Sequence, residues 1–173
     1  MRRYTLVLAV FLTACAAPEK ENKGTKTSYF DLKGYFNKEA ATLNNRHPLV
    51  NKRVLVNNKA EDKQVKISNW EKELSVFIDA DINKAAWEGE FSSKSNEKGI
   101  TYTANNDKVP VKKVQVLKAN GAVRGIIITI HNSNYLYSSS DTLSYYPDSL
   151  YEIRKSQEIK LMSPKRYEIT GKF

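Results

Sequence analysis

The sequence contains a single cysteine, Cys15, and only two histidines among its 173 residues. One cysteine can form neither an intramolecular disulfide nor a cysteine-rich metal cluster, so the hydrophobic core alone must stabilise the fold. Glycine is also scarce, with seven residues, and these form neither a Gly-rich phosphate-binding loop nor the G-x-S-x-G turn of many serine hydrolases. No catalytic motif is recognisable, and the sequence therefore predicts a protein that is not an enzyme.

The sequence also lacks an apolar run long enough to span a bilayer, which needs about 20 residues. Its first residues, MRRYTLVLAVFLTAC, combine two arginines with an apolar stretch over residues 6–12 and small residues before Cys15. This is the layout of a secretory signal.

The tetrapeptide Leu12-Thr13-Ala14-Cys15 resembles a bacterial lipobox. The resemblance implies cleavage before Cys15 by signal peptidase II, after a diacylglycerol has been attached to the sulfur. Residues 1–14 are then the signal peptide, and the covalent lipid on Cys15 is the only attached group, with no cofactor or metal. Several acyl chains on one residue suffice for stable anchoring, because each buried methylene contributes about 0.8 kcal/mol. The alternative is an ordinary secretory signal with a chance cysteine.

Residues 16–29, AAPEKENKGTKTSY, have few large apolar side chains and cannot bury enough surface to fold. We therefore predict a flexible tether over residues 15–29 and one domain over residues 30–173. Many Gram-negative bacteria retain lipoproteins in the inner membrane through an aspartate after the lipidated cysteine. Ala16 occupies that place here, so the resemblance implies export to the outer membrane, on its periplasmic or its surface face.

Acidic residues are fewer than basic ones, 19 against 28, and the formal net charge is +9. The lysines are scattered, which is typical of a solvated surface, and a preference for anionic lipid headgroups or glycans is the alternative. An exported lipoprotein rarely meets nucleic acid. The expected partners are therefore the membrane, bound through the acyl chains, and an envelope protein or glycan, with no nucleic acid and an unspecified oligomeric state.

Two short helices are predicted before residue 80. The segment FDLKGYFNKEAATL spaces apolar side chains by three and four, with Asp31 as the N-cap. The second helix begins with a capping box of Ser68 and Glu71. It continues with an apolar stripe at helical spacing: Trp70, Leu74, Phe77 and Ile78.

The remaining segments are typical of strands. A hairpin joined around NNKAED is predicted in RHPLVNKRVLVNNKAEDKQVKIS. After Ile100, short β-rich runs alternate with turn signals. Four of these runs are predicted as separate strands: YLYSSS, TLSYY, LYEIRKS and QEIKLMS. Asn120-Gly121 predicts a type I′ turn. Short connections favour antiparallel neighbours. The predicted fold is α+β: a curved antiparallel β-sheet of about seven or eight strands with two short helices packed on one face.

Two further resemblances concern the domain. NWEKELSVFIDADINKAAW and the strand-rich tail are similar to small Gram-negative lipoproteins of unknown function. At the level of architecture alone, a curved sheet with helices resembles the half-barrel lipoprotein carriers that hold acyl chains between sheet and helices. This second resemblance implies a lipid carrier.

The stretch FIDADINKAAWEGEF places four residues where an EF-hand loop has ligands: Asp79, Asp81, Asn83 and Glu90. Lys84 occupies the place of the glycine that such a loop needs, so calcium is the less favoured hypothesis. The favoured one is a helix that ends near Asp79, with Asp81 as the N-cap of a short segment that packs Trp87 against the sheet.

Other candidate site residues are few. His47 and His131 each lack a neighbouring ligand at metal spacing, and the serines of YLYSSSDTLSYY are predicted in a loop. Five tyrosines form a candidate binding surface, because tyrosine offers rigid amphipathic contact area: Tyr135, Tyr137, Tyr145, Tyr146 and Tyr151.

Three functional hypotheses follow. The leading one is a membrane-anchored cell-envelope lipoprotein that acts as a non-enzymatic interaction or accessory module. The second is an acyl-chain carrier with a half-barrel pocket, and the third is an envelope enzyme whose catalytic cluster forms only in three dimensions.

Overall fold

The computed structural model describes residues 29–173. The predicted signal peptide, the lipobox with Cys15 and the tether up to residue 28 lie outside these residues. Tyr29, the predicted last residue of the tether, instead belongs to the domain. Its ring packs edge-on against Phe91 and Tyr102, with centroid distances of 5.5 and 5.7 Å.

Within this range the chain forms three α-helices, one 3-10 turn and nine strands. The helices are α1 (Leu32–Arg46), α2 (Trp70–Glu73) and α3 (Ser75–Asp79), and the 3-10 turn is Ala85–Trp87. The strands are β1 (Leu49–Val56), β2 (Lys59–Lys66), β3 (Phe91–Asn96), β4 (Gly99–Ala104), β5 (Val111–Ala119), β6 (Ala122–Ser133), β7 (Tyr137–Tyr146), β8 (Leu150–Ile159) and β9 (Lys165–Lys172). None of the described helices is both long and apolar enough to cross a membrane.

All nine strands belong to one antiparallel sheet with the order β2-β1-β9-β8-β7-β6-β5-β4-β3. Strands β3 to β9 form a meander in chain order, and the β1–β2 hairpin joins the free edge of β9. The predicted α+β class and antiparallel sheet are confirmed. The sheet has nine strands rather than seven or eight.

The difference in strand number has a local cause. Strand β3, FSSKSN, was not predicted because it is an edge strand whose one buried side chain is Phe91, so it has no apolar alternation. In contrast, the runs YLYSSS (from Tyr137 onward) and TLSYY both lie in the single strand β7, and LYEIRKS and QEIKLMS both contribute to β8. The serines at 138–140 therefore lie in a strand and not in a loop.

The N-cap of α1 was predicted correctly and that of α2 was not. Asp31 caps α1, because its side chain accepts the Gly34 N–H at 2.8 Å. At α2 the cap is Asn69, whose side-chain oxygen accepts the Lys72 N–H at 2.8 Å. Ser68 lies one position too early, so the predicted capping box does not form.

Two turns show the backbone conformation that their residues favour. Asn120 and Gly121 both have positive φ, 51° and 77°, and they join β5 to β6 as the predicted type I′ turn. Asn57 and Asn58, with φ of 45° and 70°, join β1 to β2. The predicted hairpin is therefore confirmed with a tighter turn, and KAED of NNKAED belongs to β2.

The helices cover one face of the sheet, which we call the covered face. From the apolar stripe, Trp70, Leu74 and Phe77 are fully buried there. The Phe36 ring of α1 lies 4.9 Å from the Phe77 ring and 5.2 Å from the Tyr145 ring. Helices and sheet thus share one aromatic-rich core.

Several polar side chains are paired across this interface. The Tyr145 hydroxyl donates to Glu39 Oε2 at 2.6 Å. The Tyr151 hydroxyl donates to Glu73 Oε1, and Lys52 Nζ lies 2.6 Å from the same oxygen. Because an unpaired buried polar group is costly, these bonds also fix the position of the helices on the sheet.

Candidate functional site

The other face of the sheet carries no helix, and we call it the open face. Residues directly opposite each other on paired strands share a face. Tyr145 and Leu143 point into the core. The residues that alternate with them along β7 therefore lie on the open face, and so do the residues directly opposite those on the neighbouring strands. Cross-strand pairs of this kind are Ser144–Glu152, Thr142–Arg154, Glu152–Thr170, Arg154–Glu168 and Arg53–Thr170.

Two grooves that share Glu168 follow the open face, and together we call them the polar groove. The larger, about 740 Å³, crosses five strands from Asp62 on β2 to Tyr146 on β7. The smaller has a volume of about 410 Å³, and its lining includes Ser140, Thr142, Arg154, Arg166 and Glu168.

An arginine–carboxylate pair occupies the middle of the polar groove. Arg154 donates through Nε and Nη2 to Glu152 Oε2, at 2.9 and 2.6 Å. The hydrogen bond to Glu152 and the negative charges of Glu152 and Glu168 raise the pKa of Arg154, so its charge is permanent. A guanidinium has five N–H donors, so two bonds to Glu152 leave donors for a ligand.

A second pair lies at the wall formed by the β1–β2 hairpin. Arg53 Nη1 is 3.6 Å from Asp62 Oδ2, with 57% and 66% of the two side chains exposed. A pair this exposed contributes little to stability. Both side chains therefore remain able to exchange their mutual contact for a contact with a ligand.

Hydroxyl groups form a row along β7 on the same face. Ser138, Ser140, Thr142 and Ser144 alternate along the strand, and His131 Nδ1 on β6 lies 3.1 Å from Ser140 Oγ. Each hydroxyl both donates and accepts. Of these, Ser140 and Thr142 line the polar groove, whereas Ser144 is buried; Ser156 of β8 and Thr170 of β9 add two further hydroxyls to its lining.

No family model matches this sequence, and no curated protein is significantly similar to it. The functional argument therefore depends on the geometry of the polar groove.

The structure does not bring the five candidate tyrosines together. Tyr145 and Tyr151 are fully buried on the covered face and cannot contribute to an exposed surface. Tyr146 lines the polar groove, Tyr137 is half-buried at the start of β7, and Tyr135 is exposed in the β6–β7 loop. Alternation separates Tyr146 from Tyr145, because neighbouring residues of a strand point to opposite faces.

The acidic stretch serves as a junction for the incoming chain. Asn83 Oδ1 accepts the Tyr29 N–H at 3.0 Å, and Asn83 Nδ2 donates to the Phe30 carbonyl at 3.1 Å. The same amide donates to Asp81 Oδ1 at 3.3 Å. Asp81 is therefore not the N-cap that we predicted; the residue before the 3-10 turn is Lys84.

The other proposed calcium ligands have separate contacts. Lys84 Nζ donates to the Asp79 carbonyl at 2.8 Å and also lies 4.4 Å from the centre of the Trp87 ring. Glu90 accepts from the Asn106 side chain. Within residues 29–173, no three His, Cys, Asp or Glu side chains are grouped to hold a metal ion, so the three carboxylates do not converge.

Sequence reasoning missed the polar groove entirely. Its residues come from β1, β2, β7, β8 and β9, and the pairing of these strands is not visible in the linear sequence. One signal was present: the alternation Glu152, Arg154, Ser156 in β8 predicts a polar strand face. That signal alone does not show which other strands contribute.

Proposed function

We propose that this protein is a membrane-anchored, non-enzymatic binding module of the cell envelope that holds a glycan chain in its polar groove. The observation that carries the proposal is the group of hydroxyls that line the groove beside the Arg154–Glu152 pair: Ser140, Thr142, Ser156 and Thr170. The anchoring part depends on the resemblance of residues 12–15 to a lipobox.

The chemistry of the groove matches a sugar chain. Sugar hydroxyls donate and accept hydrogen bonds, and so do serine and threonine, while carboxylates and guanidinium groups supply the stronger charge-assisted bonds. The ring of Tyr146 adds an amphipathic surface at one end of the groove. Five strands span about 19 Å from first to last, a length that suits an extended chain better than a small metabolite.

The carrier hypothesis has less support. A carrier needs an apolar space between sheet and helices, whereas that space is occupied by Trp70, Phe36, Phe77 and Tyr145, each fully buried. The grooves on the open face are lined by charged and hydroxyl side chains, which are unfavourable partners for an acyl chain. The third hypothesis, an enzyme, has no specific observation in its favour.

The polar groove can be tested with Arg154→Ala. We expect this variant to weaken binding to purified cell-wall glycan by roughly 10-fold or more, because a hydrogen bond to a charged group contributes about 1.5–3 kcal/mol. The measurement is co-sedimentation of the full-length protein with insoluble peptidoglycan sacculi, with soluble dextran as a neutral competitor.

Two further variants make the test specific. Arg124→Ala removes the same charge from an exposed site that does not line the groove, and it should bind as the unchanged protein does. Thr142→Val keeps the size of the side chain and removes one hydroxyl, so it should weaken binding without changing net charge. Equal loss in Arg154→Ala and Arg124→Ala would mean that only overall charge matters, and no binding by the unchanged protein would reject the glycan proposal.

A further inference from the structure

Four large apolar side chains form an exposed cluster at one end of the sheet, which we call the loop-tip patch. Tyr135 and Leu136 lie in the β6–β7 loop, and Leu161 and Met162 lie in the β8–β9 loop. Their exposed fractions are 83%, 59%, 99% and 56%. Neither the core nor the polar groove uses these side chains.

The two loops are held together and hold their shape. The Lys160 N–H donates to the Leu136 carbonyl at 2.9 Å and so joins one loop to the other. Asn134 Oδ1 accepts the Leu136 and Tyr137 N–H groups at 2.9 and 3.0 Å. The apolar side chains are therefore displayed by an ordered, hydrogen-bonded framework.

One loop residue is held in a costly conformation. Leu161 has a φ of 69°, in the left-handed region that costs a non-glycine residue roughly 1–2 kcal/mol. Its side chain is almost completely exposed, so packing within the domain does not compensate for this cost. The Met162 N–H donates to the Ile159 carbonyl at 3.0 Å and closes the turn that presents this side chain to solvent.

Positive charge surrounds the patch. Lys160 Nζ lies 4.0 Å from the centre of the Tyr135 ring, and Lys165 follows the same loop. The neighbouring β4–β5 loop adds Lys108, whereas Lys112 is paired with Asp107 at 3.7 Å; Glu158 is the other carboxylate of these segments. Tyrosine and lysine beside exposed leucine and methionine are typical of surfaces at the membrane interface, where the apolar part enters the lipid and the ammonium stays in water.

The N-terminal segment joins the domain at this same end of the sheet. Tyr29 packs on Phe91, the first residue of β3, and its hydroxyl accepts the Phe91 N–H at 3.3 Å. In an antiparallel meander the start of β3 lies at the same end as the β6–β7 and β8–β9 loops. A chain spans at most about 3.3–3.6 Å per residue, so residues 15–29 reach up to about 50 Å, enough to bring Cys15 to any surface that meets the patch.

We propose that the loop-tip patch docks on the surface of an anionic lipid bilayer. The apolar tips of Leu136, Leu161 and Met162 enter the boundary between headgroups and acyl chains, and the lysines contact lipid phosphates. The strands then stand away from the membrane, and the polar groove remains open to the aqueous side. This docking surface is separate from the acyl anchor and from glycan binding.

Site-specific fluorescence tests this proposal. In the full-length chain carrying Cys15→Ser, which removes the single native cysteine, Leu161→Cys gives a unique site for an environment-sensitive dye. The probe is a vesicle of phosphatidylglycerol and phosphatidylcholine that also contains a spin-labelled lipid as a quencher. Leu49→Cys is the matched control, because Leu49 is also exposed, at 48%, but begins β1 at the opposite end of the sheet.

We expect roughly a twofold or greater rise in dye emission at position 161 with unlabelled anionic vesicles, quenching by the spin-labelled lipid, and no change at position 49. Leu136→Ser with Met162→Ser should reduce the response at 161. If the protein binds vesicles while the dye emission changes at neither position, the protein is attached only through its N-terminal segment. This result would overturn the proposal. The proposal would also be overturned by an equal response at both positions, or by an equal response to vesicles of phosphatidylcholine alone. A rise in emission that needs only a higher protein concentration, without vesicles, would overturn it too. That last result would indicate that a second copy of this chain covers the patch.

Discussion

Trp70→Ala should lower the free energy of unfolding by about 3–5 kcal/mol, the range observed when a large buried aromatic side chain is removed. Trp70 is fully buried, with its ring 5.4 Å from the Phe173 ring and 6.3 Å from the Tyr151 ring. Its backbone N–H also donates to Asn44 Oδ1 at 3.1 Å, which connects α2 to α1. The cavity would therefore open where both helices and the C-terminal strand meet.

Chemical denaturation followed by far-UV circular dichroism measures this change. Trp87→Ala is the matched control, because Trp87 is half-buried and its ring faces Lys84; it should cost less than half as much. Trp70 Nε1 has no hydrogen-bond partner among the described residues, so Trp70→Phe should cost less than Trp70→Ala. A cost below about 1 kcal/mol for Trp70→Ala would show that this interface is not part of the cooperative core.

The domain should also lose stability steeply in alkaline solution. Burial, and next the hydrogen bond to Glu39, raises the pKa of Tyr145 above its ordinary value of 10.0. Burial, and next the hydrogen bond to Glu73, raises the pKa of Tyr151. The folded protein therefore keeps both protons at a pH where the unfolded chain releases them.

The sign and size of the effect follow from proton linkage. Below pH 10 both states hold the two protons, so the full stabilisation is present. As the pH rises above 10 the unfolded chain binds fewer protons than the folded protein. The free energy of unfolding then falls by up to about 2.7 kcal/mol per pH unit, because each proton contributes 1.36 kcal/mol.

Urea denaturation at a series of pH values, with tyrosinate absorbance recorded in parallel, measures this dependence. The double variant Tyr145→Phe, Tyr151→Phe removes both protons, and its stability should vary less with pH above 10. Tyr135→Phe, at the exposed loop tip, should leave the slope unchanged. Tyrosinate absorbance that rises fully before the fold is lost would contradict the prediction.

The local features of this fold could be predicted from the sequence. The Asp31 cap, the Asn120-Gly121 turn and the stripe containing Trp70 each depend on residues within a few positions of one another. Their physical causes, a side-chain hydrogen bond, a positive φ and helical spacing, act over the same short range. They could be predicted without knowing which strands pair in the sheet.

The candidate site depends on long-range register and could not be predicted in this way. Tyr145 and Tyr146 are neighbours in sequence, yet one lies in the core and the other lines the polar groove. Which face the helices cover is decided by the total apolar surface of nine strands, and no single run of sequence contains that information. Grouping five tyrosines by their closeness in sequence therefore mixed both faces.

The position of β9 between β1 and β8 has a consequence for how the chain reaches its native state. Asn51 pairs with Lys172, so the first strand of the domain completes its hydrogen bonds only with the last. Contacts of such large sequence separation slow folding, because the loop-closure entropy is lost before the contacts form. During synthesis the β1–β2 hairpin has no sheet to join until the final strand has emerged. The domain therefore closes in one late step, and a chain that ends before β9 would leave the edges of β1 and β8 exposed to pairing with other chains.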